Sequence, residues 1–194
     1  MPSLTMISVF LDRDGVINRR PLVKRYVTAP EELQLLPRVP EAIRLLNEAG
    51  HRAIVVTNQR GISLGLYDER DLERIHRRMR EELARGGAQV DAVYHCPHDA
   101  DSCTCRKPGI GMFLQAQQDF PGLTFNRSIV IGDSACDLQA ATRLSCRAVL
   151  IGASENAVDR ELASQHIIPD FRCGSLWEAV TAFLLPAGGA WRSE

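Results

Sequence analysis

Short apolar stretches alternate along the chain with segments that have the periodicity of amphipathic helices. Strands alternating with helices in this way form a mostly parallel sheet, with right-handed crossovers and helices on both faces. The sequence therefore predicts an α/β fold, a three-layer, doubly wound (Rossmann-like) sheet that binds ligands beyond the carboxyl ends of its strands. The expected strands are Ile7–Leu11, Ala53–Thr57, Ala92–His95, Ser128–Ile131 and Ala148–Ile151.

The segments between these strands carry helix start and stop signals. In the first, Ile43, Leu45, Leu46 and Ala49 are expected to face inward. We expect helices from near Pro40 to Gly50, from the cap Asp68 to just before Gly86, over Met112–Gln118, over Leu138–Leu144, and from a capping box at Ser175 and Glu178 to Pro186.

The length of 194 residues suits one domain, which we place at residues 1–185, with a C-terminal tail at 186–194. A net charge of −1 lacks the basic excess of a nucleic-acid-binding domain, so no nucleic-acid partner is expected. The apolar run Ile7–Leu11 is too short for a membrane segment or secretory signal. We therefore expect a monomer in the cytoplasm without a membrane partner.

Two acids follow the first strand, in the order Asp12-Arg13-Asp14-Gly15. Side chains two residues apart on an extended chain point the same way, and Gly15 would let the chain turn sharply after them. Two ionised carboxylates this close need a cation or a shared proton. Taken alone, the pair could equally be two acids on a surface loop.

Further polar residues are expected at the same edge of the sheet. The second strand leads into Thr57, Asn58 and Gln59, whose hydroxyl and amide groups suit phosphate oxygens, although a turn or helix cap could also use them. Two cations precede the third expected helix, and two acids follow the fourth strand. These four residues are Arg106, Lys107, Asp133 and Asp137.

This set of groups suits phosphoryl transfer. A carboxylate that attacks a phosphate dianion must overcome charge repulsion, which Mg²⁺ and Lys107 would reduce. A covalent acyl-phosphate divides one difficult displacement into two easier ones. Asp14 could protonate the leaving oxygen and later take a proton from water.

The four motifs, in this order, resemble the haloacid dehalogenase (HAD) superfamily of phosphatases over roughly residues 7–151. The resemblance implies that Asp12 is the nucleophile and a magnesium ligand, and that Asp14 is the general acid/base and lends its backbone carbonyl to the metal. It implies that Thr57 and Lys107 hold the phosphoryl group. Asp133 would ligate magnesium, with Asp137 in support.

A second metal site is predicted in residues 96–105, where Cys96, His98, Cys103 and Cys105 form a Cys₃His set. Zinc takes four such ligands, and a closed set of this kind is usually structural. The main alternative is a disulfide, which a reducing compartment disfavours. His95 is not expected to be a ligand. The other cysteines, Cys136, Cys146 and Cys173, are expected at ordinary half-buried positions.

Zinc at this cluster would position Arg106 and Lys107, which follow Cys105 directly. The cluster resembles the zinc-containing HAD subgroup of heptose bisphosphate and histidinol-phosphate phosphatases, which lack a large cap domain. The stretch from Asn58 to Tyr67 is similar to the heptose branch, which implies a small phosphorylated sugar substrate with Arg106 on the phosphate that is not cut. Leu64 stands where that branch often has arginine. The alternatives are a phosphatase for histidinol phosphate or another small ester, and an inactive zinc-stabilised binding module.

Overall fold

A computed structural model describes residues 6–21, 26–100, 102–153 and 156–185 of the chain. Six parallel strands form one sheet in the spatial order β3-β2-β1-β4-β5-β6. The strands are β1 (Ser8–Leu11), β2 (Arg52–Asn58), β3 (Ala92–Cys96), β4 (Ser128–Gly132), β5 (Arg147–Ile151) and β6 (Phe171–Cys173).

Helices connect the strands and cover the sheet. They are α1 (Val39–Glu48), α2 (Glu69–Arg85), α3 (Gly111–Asp119), α4 (Ala135–Leu144), α5 (Asn156–Ser164) and the short α6 (Leu176–Glu178), which continues as a π-helical turn over Ala179–Leu184. No helix within the described ranges has the length and apolar character needed to cross a bilayer. The described residues also contain no separate cap domain.

The core is divided by the sheet into two apolar layers. Val9 and Leu11 of β1 belong to the layer under α1 and α2, whereas Phe10 belongs to the layer under α3 and α4. Because side chains on a strand alternate between its two faces, a strand covered on both sides must be apolar at every position. This confirms the three-layer, doubly wound arrangement predicted from the apolar runs.

The predicted strands are all present, with ends that differ by one residue. In α1 the buried face consists of Val39, Ala42, Ile43 and Leu46. Leu45 and Ala49, which were expected to face inward, are only half-buried. The helix starts at Val39, one residue from the predicted start near Pro40, and its buried face is centred on Ile43 and Leu46.

The capping signals predicted the next helix start well. The carboxylate of Asp68 accepts a hydrogen bond from the backbone N–H of Asp71, and the carboxylate of Asp71 accepts one from the backbone N–H of Asp68. At the last helix, Ser175 accepts from the backbone of Glu178 as expected, but the Glu178 carboxylate accepts from the backbone of Gly174. The predicted helix end at Pro186 and the predicted tail at 186–194 lie outside the described residues.

The sheet reverses its direction of growth at β1. The chain proceeds from β1 to β2 and β3 on one side, and from β4 to β5 and β6 on the other. Adjacent loops therefore diverge at the carboxyl ends of β1 and β4 and leave a crevice there, which is where open α/β sheets bind ligands.

Candidate active site

Asp12 lies directly beyond β1, at this crevice. Its backbone N–H donates to the carbonyl of Ile131 in β4 at 2.9 Å, which extends the strand pairing by one residue and fixes where the side chain starts. The residue is only 7% exposed. Its carboxylate is thus a largely buried anion that requires a partner.

That partner is Lys107. Its ammonium Nζ lies 2.9 Å from Asp12 Oδ1 and 2.6 Å from Asp137 Oδ1, and it also donates to the carbonyl of Val56 at 2.7 Å. Burial acts against the charged form, but the two carboxylates prevail and raise the pKa of Lys107. The ammonium is therefore a permanent positive charge beside Asp12.

Asn58 fixes the backbone that carries this lysine. Its side-chain Nδ2 donates to the carbonyl of Lys107 at 3.0 Å, and its Oδ1 accepts from the N–H of Lys107 at 2.9 Å. This two-bond pair connects the end of β2 to the segment before α3. The Asn58 amide thus binds the Lys107 backbone, and the residue also lines the cavity described below, so phosphate binding by Asn58 stays a prediction.

Asp133 and Asp137 stand at the end of β4 and in the first turn of α4. Their carboxylate oxygens and one of Asp12 lie within 4.8 Å of one another. Glycines allow this approach: a Cβ on Gly132 would come within 2.2 Å of the Asp137 side chain, and one on Gly15 within 1.8 Å of Asp133 Oδ2. The predicted acids are therefore brought together as expected.

The donor set fits magnesium, which prefers oxygen ligands. Burial, together with neighbouring carboxylates, raises the pKa of Asp12 to about 6 and that of Asp133 to about 7. Carboxylates this reluctant to ionise together gain most from a divalent cation between them. Which of these oxygens ligate the metal stays a prediction.

Asp14 is held by several donors. Its oxygens accept from Arg13 at 2.8 and 3.0 Å, from Asn18 at 2.9 Å and from Gln59 at 2.9 Å. Burial acts to raise the pKa of Asp14, but the Arg13 charge and the hydrogen bonds from Asn18 and Gln59 hold it below its usual value. The same Gln59 amide donates to Thr57 Oγ1 at 2.7 Å, so the Thr57 hydroxyl keeps its proton for another acceptor.

The support behind Asp14 was not predicted from the sequence. Arg13 is fully buried, and its Nη1 lies 3.2 Å from Nε2 of His76 in α2. An arginine can only donate, so His76 must accept and is neutral. Burial and the nearby Arg13 charge lower the pKa of His76 to about 2. Tyr67 completes the network by donating to Gln59 Oε1 at 2.6 Å.

A cavity of about 300 Å³ opens beside Asp12. Arg106 lines this cavity, and its buried Nη1 has no hydrogen-bond partner among the described residues. Two further lining arginines, Arg20 and Arg60, were not among the predicted site residues. The full lining is Asp12, Asp14, Arg20, Pro21, Tyr26, Thr57, Asn58, Arg60, Arg106, Lys107, Ser134 and Cys136.

The four predicted zinc ligands also converge. The three sulfur atoms of Cys96, Cys103 and Cys105 are separated by 3.2 to 3.5 Å, and Nδ1 of His98 lies 3.2 Å from the sulfur of Cys105. Zinc–sulfur bonds of about 2.3 Å in a tetrahedron require edges of about 3.8 Å, so small adjustments would admit the ion. The donor set fits zinc, and occupancy by zinc stays a prediction.

The remaining cysteines are free thiols. Cys136 and Cys146 are half-buried as predicted, whereas Cys173 is buried. Cys136 also lies on the wall of the cavity. His95 pairs with Glu69 at 2.8 Å and is not part of the cysteine cluster.

Known proteins are similar to this chain in sequence and in fold. A HAD-hydrolase-like family model matches residues 104–179. The D-glycero-β-D-manno-heptose-1,7-bisphosphate 7-phosphatase of Rhodopseudomonas palustris is 42% identical over 142 residues, covering 69% of this chain and 77% of the relative. The corresponding α-anomer phosphatase of Mycobacterium bovis is 37% identical over 180 residues, covering 90% of each chain.

The fold agrees with these relatives. The crystal structure of D,D-heptose 1,7-bisphosphate phosphatase from B. bronchiseptica, complexed with magnesium and phosphate, superimposes with a TM-score of 0.80 at 34% identity. The superposition covers 92% of this chain and 98% of the other. By its motifs, its fold and these similarities, the chain belongs to the haloacid dehalogenase-like phosphatases.

Proposed function

We propose that the protein is a magnesium-dependent phosphatase that removes the 7-phosphate of D-glycero-D-manno-heptose 1,7-bisphosphate. The observation that carries the proposal is the buried Asp12–Lys107 pair at a cavity that three arginines also line. One cation beside the attacking carboxylate and several more along the wall suit a substrate with two phosphate groups.

In the first step, an oxygen of Asp12 attacks phosphorus and the bond from phosphorus to the sugar oxygen breaks. Lys107 and Thr57 hold the phosphoryl oxygens, and Asp14 gives a proton to the leaving sugar oxygen. In the second step, water attacks the phosphorus of the aspartyl-phosphate and gives its proton to Asp14. Inorganic phosphate leaves and Asp12 returns to its starting form.

Asp14 is prepared for the second of these steps. Its donors Arg13, Asn18 and Gln59 stabilise the carboxylate form, which is the form that accepts a proton. When Asp14 carries the proton for the first step, its bonds to these donors are weakened. We therefore expect the leaving sugar oxygen to take the place of one of them.

Magnesium would be held by Asp12, Asp133 and the backbone carbonyl of Asp14, with Asp137 in support. When bound, it neutralises charge between the carboxylate and the phosphate. The zinc site would be Cys96, His98, Cys103 and Cys105. The contribution of zinc would be structural. Arg106 N lies 3.4 Å from Cys103 Sγ, which attaches the cation-bearing segment, Arg106 and Lys107, to the cluster.

The second phosphate of the substrate would lie against Arg106. Arg106 lines the cavity, and its guanidinium would gain an anionic partner there. The phosphatases named above act on a heptose bisphosphate, and they include both anomers. A net charge of −1 lacks the basic excess of a nucleic-acid-binding domain, so we propose no nucleic-acid partner. We also propose a cytoplasmic monomer without a membrane partner.

The deciding experiment compares kcat/KM for both anomers of heptose 1,7-bisphosphate with that for histidinol phosphate, in magnesium buffer. We expect a preference of at least about tenfold for the bisphosphate, since histidinol phosphate leaves Arg106 unpaired. Arg106→Gln should reduce this preference mainly through KM. A faster reaction with histidinol phosphate would overturn the substrate assignment, while Asp12→Asn serves as the control for contaminating phosphatase.

A further inference from the structure

Arg20 contacts two oxygens that belong to the proposed magnesium set. Its Nη2 donates to Asp133 Oδ1 at 2.6 Å, and its Nε donates to the backbone carbonyl of Asp14 at 3.1 Å. One guanidinium thus spans both groups. Arg20 was not predicted as a site residue, because it lies in a loop beyond the acid motif.

The position of this side chain allows it to move. The Arg20 side chain is 55% exposed, so its departure would not open the core. It also lines the cavity in which the phosphate group would lie. A small rotation of the exposed side chain would therefore exchange a carboxylate partner for a phosphate partner, both of which a guanidinium binds well.

A guanidinium and a divalent cation repel each other at short range, and both would bind the Asp133 carboxylate and the Asp14 backbone carbonyl. We propose that Arg20 competes with Mg²⁺ for Asp133 and the Asp14 carbonyl, and that metal binding turns the guanidinium toward the phosphate in the cavity. The inference rests on the proposed magnesium site. It assigns Arg20 as a positioning residue that couples binding of the metal to binding of the anion.

The opposite role makes the opposite prediction. If Arg20 instead held Asp133 in an orientation that suits the metal, its loss would weaken magnesium binding. The sign of the change therefore separates the two roles. Arg19 offers a matched control, because it is an exposed arginine next in the chain and no ion pair joins it to Asp133.

The first measurement is the magnesium affinity of wild type, Arg20→Gln and Arg19→Gln by isothermal titration calorimetry. We expect Arg20→Gln to bind Mg²⁺ on the order of fivefold more tightly, the size expected from removing one half-exposed ion pair. Arg19→Gln should stay within about twofold of wild type. Unchanged or weaker binding by Arg20→Gln, or equal tightening in both variants, would overturn the competition.

The second measurement is the affinity of the magnesium-saturated protein for inorganic phosphate. We expect Arg20→Gln to bind phosphate about threefold more weakly than wild type, and unchanged affinity would overturn the release toward the anion. A wild type without saturable magnesium binding would overturn the proposed metal site together with this inference. Normal wild-type binding with no tightening in Arg20→Gln would overturn this inference alone.

Discussion

Lys107 shows how single residues make a buried charge tolerable in this fold. The residue is 3% exposed, and its ammonium contacts two carboxylates and one backbone carbonyl. These three acceptors match the three donors of an ammonium group. Replacing either carboxylate by an apolar group would leave one donor of the buried ammonium without an acceptor, which is destabilising.

The raised pKa of Asp133 leads us to expect an unusual dependence of folding stability on pH. Burial and the charge of Asp12 raise its pKa to about 7 in the folded protein, above the ordinary value of 3.8. A raised carboxyl pKa means that ionising the group destabilises the fold; the penalty is absent below about pH 4 and complete above about pH 7. In magnesium-free buffer at pH 8, we expect Asp133→Asn to be more stable than wild type by on the order of 1–2 kcal/mol.

Urea unfolding at about pH 5.5 and pH 8 measures this difference. The gain in Asp133→Asn should shrink at the lower pH, where the wild-type carboxyl is already protonated. Saturating magnesium should stabilise wild type and remove the advantage of the variant. If the variant is less stable than wild type at pH 8 without magnesium, the ionised Asp133 carboxylate does not destabilise the fold.

Replacing Gln59 should change the reaction rate even though this residue would not touch the reacting atoms. Its amide donates to both Asp14 and Thr57 and accepts from Tyr67. Gln59→Leu should lower kcat by about 10- to 100-fold, because both side chains lose the bond that orients them. Tyr67→Phe removes one donor to Gln59 and should lower kcat by less than about fivefold. Similar kcat values for Gln59→Leu and wild type would exclude this orienting role.

At the scale of elements, the segment between β3 and α3 is attached to its neighbours at several points. Gln59 N donates to the carbonyl of Cys96, Arg60 pairs with Asp99 at 2.5 Å, and Asn58 holds the Lys107 backbone. A metal within the cysteine cluster would add a further constraint. Lys107 is thus positioned by the loop after β2 as well as by its own segment.

Loss of one zinc ligand should therefore impair the site without abolishing the fold. Cys103→Ser is expected to lose bound zinc and to lower kcat/KM by about tenfold or more, because the cation-bearing segment is held less firmly. Elemental analysis and steady-state kinetics measure the two effects. Cys146→Ser, at a half-buried cysteine outside the cluster, should keep both values. Wild-type protein without zinc would contradict the structural role of the cluster.

For the whole molecule, the apolar runs and capping residues predicted most of the sheet and the site that it carries. Two elements were missed. Strand β6 has only three residues, too few for an apolar run to be recognised, and α5 has a largely polar sequence that resembles a loop. Arg13 was missed as well, because its complete burial follows from tertiary contacts with Gln59 and His76.

The strand ends converge because a parallel sheet brings all its carboxyl ends to one edge. That general property is why four motifs distant in sequence could be assigned to one site before their distances were known. Arg20 does not follow this rule. It reaches the cavity from the loop after β1, beyond the acid motif, and the sequence pattern did not mark it as a site residue.

If Asp12 is the nucleophile, it carries the phosphoryl group covalently during turnover, and acid quenching of the reacting enzyme preserves that bond. Peptide mass analysis should then find one added phosphoryl group on the peptide that contains Asp12, and none in Asp12→Asn. The modification should disappear when the substrate is exhausted. If Asp12→Asn turns over substrate at a rate near that of wild type, or if the phosphoryl group is found on another residue, Asp12 is not the nucleophile.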